Sequence, residues 1–555
     1  MIRNLIHEHN AVDTHETPRQ CPETKQPQMV LLESQFDARQ HGNMVQGLNA
    51  SRGAEHTSRE QDLIGICTQS FCDCSRLTRL LSTQPEQQGG DASRDHALRH
   101  CDEPILSLLI HLSKSIKDQV GDHDLIVQRL DDMINLATEK LYAFPFKNVP
   151  PYWPHVFREA SLLKFSALAV REVWGGPDSL KRGEARIQRL ESGQMNEMVN
   201  VLDMALIMTG PPDSEHAQMC ITKVFELLQE IHLSSTKQDE DGPPPKRLKL
   251  GPDRKKSWDK SPVYSSAFVP PVVHPIPRKH LPTLGDFQKH MSKPQNPDLG
   301  PEPIIITGAL DQWPARNQNS WNSPSYLLSK TIGGRRLVPV ELGRSYVDEG
   351  WGQKIIPFKD FVQQYILLDT NSPARSTGYL AQHNLFTQIP SLRQDIAIPD
   401  YCYTSPPPPH HSSPLAEKHS RMPELEEPLL NAWFGPAGTI SPLHTDPYHN
   451  ILSQVVGRKY IRLYAPRESE KLYARGVEDG GVDMENTSEV DIGLLCGWDG
   501  TEEEQDAAHQ KFPLFKHAQF VDCILEEGEC LYIPVGWWHY VRSLSVSFSV
   551  SFWFN

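Results

Sequence analysis

The sequence predicts an α+β chain in which an all-helical module precedes a β-sandwich or barrel, and three observations carry that expectation. Apolar residues recur at helical spacing between residues 104 and 235. After about residue 280, short runs rich in Val, Ile, Tyr, Phe and Trp are divided by turn signals, and the first hundred residues show neither pattern. Helices grouped ahead of strands, and not alternating with them, mark the α+β class.

A chain of this length allows roughly two to four domains. Its hydrophobic fraction of 38% is low for one folded throughout. The shortfall lies in residues 1–100, rich in Gln, His, Ser, Arg and Glu and poor in aromatics, which are expected to be disordered. No run of about 18 apolar residues occurs. MIRNLIHEHNAVDTHE lacks the apolar core of a secretory leader, so a soluble, intracellular protein with no membrane contact is expected. Ten cysteines without regular spacing point to free thiols in a reducing compartment. The densest group, Cys67, Cys72 and Cys74, fits no common zinc pattern. With 55 basic against 70 acidic residues the whole molecule repels polyanions, and no direct sequence-specific nucleic-acid binding is expected.

The helical module spans residues 104–235. PILSLLIHLSKSIKDQV and DLIVQRLDDMINLATEKLYAF read as helices, the second placing Ile126, Leu130, Met133, Ile134, Ala137 and Leu141 on one face. Further helices are read in HVFREASLLKFSALAVREVW, SLKRGEARIQRLESGQMNEMVNVLDMALIM and SEHAQMCITKVFELLQEIHL, with Gly175-Gly176-Pro177 and Gly210-Pro211-Pro212 as stops. No reactive cluster lies here, and such stacks bind or support partners. Residues 236–279 read as a basic, proline-rich linker. Within it PPPKRLKL offers a compact basic group in an extended segment, suited to a nuclear import receptor and hence to a nuclear address; the alternative is a solvated linker.

Strands are read in PIIITG, RLVPVEL, NAWFG, ILSQVVGRKYIRLYAP, CILEEGECLYIPVGWWHYV and SVSFSVSFWF, with helices in SPSYLLSKTIG and FKDFVQQYI packed outside them. Two interruptions, SPPPPHHSSPLAEKHS at 405–420 and GWDGTEEEQDAAHQ at 497–510, read as loop insertions, with His410 and His411 solvated.

The candidate chemistry lies in SPLHTDPYHN, at 441–450. His444 and Asp446, two positions apart at a strand end, project to one side. A third ligand could come from His539, on a strand able to pair beside the first. Two histidines and one carboxylate form the facial triad that leaves positions on Fe(II) open, whereas a structural zinc prefers four closed ligands. Alternatives stay open at this level: a polar turn for His444 and Asp446, and a core histidine between Trp538 and Tyr540 for His539. Lys459 stands in GRKYIRLY among apolar and aromatic residues. A lysine facing into a barrel needs an anionic partner, for which the distal carboxylate of 2-oxoglutarate is a candidate. The other possibility is the solvent face, beside Arg458 and Arg462.

NAWFGPAGTISPLHTDPYHNILSQVVGRKYIRLYAP, followed by GECLYIPVGWWHYVRSLSVSFSVSFWFN, resembles the JmjC domain of the 2-oxoglutarate oxygenases. The similarity covers residues 280–555 and includes GYLAQHNLFTQIPSLRQDIAIPDYC; VPPYWPHVFREASLLKFSAL in the helical module also resembles the N-terminal region of such a protein. The resemblance implies a double-stranded β-helix, a cupin-like jelly roll, with iron held by His444, Asp446 and His539. It implies a 2-oxoglutarate site drawing on Tyr379, Ser441, Asn450, Lys459 and Trp553. Fe(II) would be the metal, with 2-oxoglutarate and O2 as cosubstrates; oxidative decarboxylation to succinate and carbon dioxide supplies an oxidant for a substrate C–H bond.

Glu341 and Trp351, in RLVPVELGRSYVDEGWGQ, match positions that in the resembled family line a pocket for a substrate arginine; the alternative is that Glu341 ends a strand and Trp351 fills a loop. A carboxylate can pair with a guanidinium through two bonds while an indole stacks on it. On that resemblance the partner is a protein or peptide presenting a basic side chain, arginine first, with a histone tail as the alternative. Three functions are in view: an arginyl hydroxylase, a histone lysine demethylase, and a binding protein without turnover, against which the intact triad and Lys459 argue.

Overall fold

The computed structural model describes residues 58–82, 97–144, 148–171, 174, 192–212, 214–240, 268–345, 347, 350–367, 377–478 and 482–555. Helices α1 (Ser75–Ser82), α2 (Glu103–Asp118), α3 (His123–Ala143), α4 (Tyr152–Val170), α5 (Ser192–Thr209) and α6 (Glu215–Glu240) form the N-terminal module. The Asp122 side chain caps α3 by accepting from the Leu125 N–H, and Ile126, Leu130, Met133 and Ala137 are its buried stripe. Helix α4 is buried nearly all round, because both α3 and α5 pack against it.

Residues 58–82 overturn part of the expectation that the first hundred residues are disordered. They are helical, and Leu63, Cys67 and Phe71 pack with Leu162, Phe165 and Leu202, while Cys72 and Leu77 pack with Leu106 and Leu109. A few apolar residues thinly spread among polar ones leave little periodic signal, yet they suffice to fill a groove between helices. Cys67, Cys72 and Cys74 belong to this packing and form no metal-ligand group among the described residues. Residues 1–57 and 83–96, where the rest of that expectation falls, lie outside the described residues.

The C-terminal region is the expected double-stranded β-helix. Its strands are β1 (Arg278–His280), β2 (Ile304–Thr307), β3 (Leu337–Leu342), β4 (Gly352–Pro357), β5 (Gly378–His383), β6 (Leu429–Gly435), β7 (Ile440–His444), β8 (His449–Val456), β9 (Lys459–Tyr464), β10 (Phe520–Leu525), β11 (Glu529–Ile533), β12 (Trp538–Ser543) and β13 (Ser547–Phe554). A nine-stranded sheet has the order β1-β2-β11-β8-β13-β6-β5-β3-β4, and a four-stranded sheet the order β10-β9-β12-β7. From β6 the chain passes back and forth between the two sheets.

Strand alternation sorts the side chains into layers. Phe548, Val550, Phe552 and Phe554 of β13 face outward into a large core with Trp313, Trp321 and Phe358. The intervening Ser547, Ser549 and Ser551 are buried on the other face, where Ser551 accepts a hydrogen bond from the Trp433 indole at 3.0 Å. On β9, Ile461 and Leu463 face the interior with Trp433 and Leu452, while Tyr460 and Tyr464 face an outer cluster with Leu472, Leu495 and Phe515.

Several sequence boundaries move. The insertion 497–510 is not a loop throughout: Thr501 and Glu504 form a capping box that starts a helix at Glu502–Lys511. The Thr-x-x-Glu signal was present but submerged in an acidic run. The insertion 405–420 carries a short helix, Ala416–Ser420. The linker expected over 236–279 is shorter at both ends, because α6 reaches Glu240 and residues 268–280 dock on the barrel. Asp522, fully buried, accepts hydrogen bonds from the N–H groups of Val273 (3.0 Å) and His274 (2.7 Å) and from the Tyr460 hydroxyl (2.9 Å). Strand β1 then pairs in parallel with β2. Such a side-chain clasp on a proline-rich segment has no periodic signature. PPPKRLKL lies outside the described residues. No helix among the described residues is long and apolar enough to cross a membrane.

Replacing Asp522 with Ala leaves three donors without their acceptor, one of them the buried Tyr460 hydroxyl. The expected loss is about 1–3 kcal/mol, read as a thermal midpoint lower by several degrees and as new protease cleavage within 268–280. Unchanged cleavage there would mean that β1 pairing alone holds the segment.

Candidate active site

Strand β7 ends at His444, and Asp446 follows just beyond it. On the neighbouring strand His539 stands directly opposite His444; the register then slips, so that Val541 faces Ser441. That slip is a bulge in β7, which lets Ser441 and His444 face the interior although they are three residues apart. Trp538 and Tyr540 join the outer cluster, which leaves His539 on the opposite face and removes the core-histidine alternative.

The three side chains converge. His444 Nε2 lies 3.7 Å from Asp446 Oδ1, and His539 Nε2 lies 3.5 Å from Asp446 Oδ2. All three candidate ligand atoms fall within 4.8 Å of one another, the one such group of three among the described residues. Each imidazole is oriented by its own backbone: Nδ1 of His444 meets the Pro442 carbonyl at 2.7 Å and Nδ1 of His539 the Trp537 carbonyl at 3.1 Å. Only an N–H can bond a carbonyl, so Nδ1 carries the proton and Nε2 is left to bind metal. Two imidazoles and one carboxylate suit Fe(II) and leave coordination positions for small ligands.

Lys459 is buried, not solvated. Its Nζ donates to the Tyr379 hydroxyl at 3.1 Å, reaching from the small sheet to the large one. No carboxylate among the described residues pairs with it, and burial pushes its ammonium down to about 7. Asn450 pairs with Trp553 on β13 and Ile533 on β11, and its Oδ1 is buried without a hydrogen-bond partner among the described residues. Tyr379, Ser441, Asn450, Lys459 and Trp553 are all buried and occupy inward positions of their strands. A buried lysine that no carboxylate neutralises, with the Tyr379 hydroxyl beside it, fits a small dicarboxylate, which would supply the missing anion.

Glu341 is buried on β3 and faces Tyr379 on β5 and Gln353 on β4. Trp351 immediately precedes β4 and shares the face of Gln353 by alternation; its indole N–H is buried without a partner among the described residues.

The structure adds residues that the sequence did not point to. Thr445, between the two ligands of β7, donates its N–H to the Asn486 carbonyl at 2.9 Å and accepts from the Asn486 side-chain amide at 3.2 Å. His444 also bridges to Thr487, so the segment around 486 runs beside the ligand loop. His419, in the insertion expected to be a solvated loop, is buried; burial pushes its imidazole down to about 4, and the Asp446 carboxylate opposes that shift. Lys418 beside it pairs with Asp483 and Glu485, tying the insertion to the same segment. His411 is exposed as expected, whereas His410 is half-buried and meets the Pro297 carbonyl at 3.0 Å. None of these contacts has a signature in the sequence, because each joins segments far apart in the chain.

Comparison with known proteins places this site in a family. The Cupin-like domain family matches residues 298–555. Lysine-specific demethylase 8 of Danio rerio is 34% identical over 449 residues, covering 80% of this chain and 92% of that protein. The chain belongs to the JmjC 2-oxoglutarate oxygenases. This JmjC oxygenase is also 41% identical over 317 residues to Lysine-specific demethylase 8 of Xenopus tropicalis, covering 56% of the chain and 60% of that protein. It is 36% identical over 280 residues to Jumonji C domain-containing protein 5 of Drosophila melanogaster, covering 50% and 60%. Against the frog and fly relatives the match therefore spans less than two thirds of their length. Fe(II) is the metal of this JmjC oxygenase and 2-oxoglutarate its cosubstrate, in keeping with the His-Asp-His group.

The state of Lys459 gives a pH test. A carboxylate-bound lysine holds its proton, whereas the buried, unliganded one releases it near pH 7. The affinity of Mn(II)-loaded protein for 2-oxoglutarate, measured by calorimetry, should fall roughly tenfold between about pH 6.5 and 8.5. Lys459→Arg should flatten the profile. A flat profile in the wild-type protein would mean that another group binds the distal carboxylate.

Proposed function

We propose that this JmjC oxygenase hydroxylates arginine residues in proteins. The reading rests on Glu341: a buried carboxylate on the inward face of β3, paired with Tyr379 of β5, with Trp351 just ahead of the neighbouring strand β4. A guanidinium can take two hydrogen bonds from the carboxylate while its plane lies against the indole. A compact lysine ammonium uses that arrangement less fully.

In this reading His444, Asp446 and His539 hold the iron. Lys459 and Tyr379 bond the distal carboxylate of the cosubstrate, Asn450 and Ser441 bond near its metal-bound end, and Trp553 forms a wall. The bound iron and 2-oxoglutarate supply, with O2, the oxidising power, and succinate and carbon dioxide leave. The protein's own task is to orient the substrate side chain and keep bulk water out, for which the closed barrel interior is suited.

A second reading is demethylation of methyl-lysine, with a histone tail as a candidate substrate. The names of the Xenopus tropicalis and Danio rerio relatives favour it, and on names alone it has the greater support. The side chains of the pocket favour arginine. Both readings share the iron site, and both take a protein with a basic side chain as partner.

Matched peptides carrying arginine, lysine or methyl-lysine at one position, incubated with the Fe(II)-loaded protein, separate the two by product mass. A stable gain of one oxygen on arginine is expected, with arginine preferred over lysine by ~1–3 kcal/mol, the scale of leaving a buried polar group unpaired. Loss of a methyl group with no oxygen on arginine would replace this reading with the demethylase.

The nuclear address is also a proposal, supported by PPPKRLKL between the folded parts. Changing Lys246, Arg247 and Lys249 to Ala should move a tagged full chain from nucleus to cytoplasm without loss of activity in vitro. Undiminished nuclear signal would return the stretch to a plain linker.

A further inference from the structure

The helical module presents a carboxylate to the start of β3. Asp203, on α5, is fully buried, and Arg336, just before β3, is buried against it. Arg336 Nε reaches the two carboxylate oxygens at 3.0 and 2.9 Å, and its Nη2 reaches Oδ1 at 2.7 Å. The same carboxylate accepts the backbone N–H of Leu337 at 2.8 Å and the side-chain amide of Gln388 at 2.8 Å. Gln388 in turn donates to the Leu337 carbonyl at 2.8 Å, and its own oxygen accepts from His383 Nε2 at 2.6 Å. Phe225 of α6 covers the guanidinium at 3.6 Å from ring centre to Cζ.

The network therefore holds both backbone groups of Leu337, the first residue of β3, and touches His383, the last residue of β5. Glu341 stands four residues further along β3, roughly 13 Å away, and pairs directly with Tyr379 of β5. The far end of β3 is held as well: Arg344 donates to Asp491 and Asp499, each at 2.9 Å. A buried ion pair adds little stability over apolar residues of the same volume, so its size alone does not explain the arrangement. Its distinctive contribution is direction, because a carboxylate bonded to a strand's first N–H fixes where that strand begins.

We infer that Asp203 is a positioning residue for the oxidation step: by anchoring the start of β3 it sets the position of Glu341 in the substrate pocket. The helical module is thereby a working part of the catalytic unit, not only a surface for partners. The inference rests on the reading of Glu341 as a substrate contact.

Two variants of the full chain test it, Asp203→Asn and the double change Asp203→Leu with Arg336→Met, the second keeping an apolar fill where the first alone fails to fold. Succinate formed and peptide oxidised are measured together in the Fe(II)-loaded protein. A misplaced substrate leaves 2-oxoglutarate consumed without product, so the ratio of succinate to oxidised peptide should rise at least about threefold, and the peptide KM at least about tenfold. A variant that is merely less folded loses both products equally and keeps the ratio. An unchanged ratio in a folded variant, or equal loss of both products in both variants, overturns the inference. Wild-type protein that oxidises no arginine peptide would fail the Glu341 reading instead, and the ratio is then measured with the methyl-lysine peptide.

Discussion

The pairing of β12 with β7 in one register, His539 opposite His444, is the constraint on which the rest of the site depends. A slip of one residue would turn His539 to the outer face, where Trp538 and Tyr540 now pack. Those two aromatics, buried in the outer cluster, make the slip costly. The iron site is thus held in place by the apolar residues that alternate with its ligands, and the segment 466–520 that covers them belongs to the site's construction although it holds none of the ligands.

Inside the barrel the balance is different. A small polar ligand needs donors, and the interior carries polar side chains at positions where apolar residues would otherwise pack. Ser547 and Ser549 bond Gln454, Ser551 bonds Trp433, and Lys459 bonds Tyr379. The polar groups nearest one another are paired, while Lys459 has no neighbouring carboxylate to hold its proton. That is an environment prepared for an anion at the cost of a cation held in low dielectric.

Much of this was legible in the sequence because it follows from period and residue type. The strand alternation of ILSQVVGRKYIRLY and SVSFSVSFWF predicts which side chains share a face, whereas His444, Asp446 and His539 are candidates whose alternatives, a polar turn and a core histidine, stay open until the register of β7 and β12 is known. What remained hidden has a common cause. Strand β4 reads GQKIIP and mixes polar and apolar residues without alternation, the bulge in β7 breaks the parity on which face assignment depends, and residues 58–82 offer too few apolar positions to register. Asp203, His419, Asn486 and Asp522 each act between segments far apart in the chain, and local pattern carries no trace of such contacts.

The order of strands has a consequence for synthesis. Strand β13, Ser547–Phe554, lies between β8 and β6 near the middle of the nine-stranded sheet. Until a ribosome has released it, β8 and β6 have no neighbour between them and the barrel wall behind the iron ligands is open. The three ligands are all made earlier, so a nascent or prematurely terminated chain can carry them without the enclosure that channels oxidation to a substrate. Because β13 follows all three ligands in the chain, synthesis of the ligands and closure of the sheet between β8 and β6 are separate events in chain order.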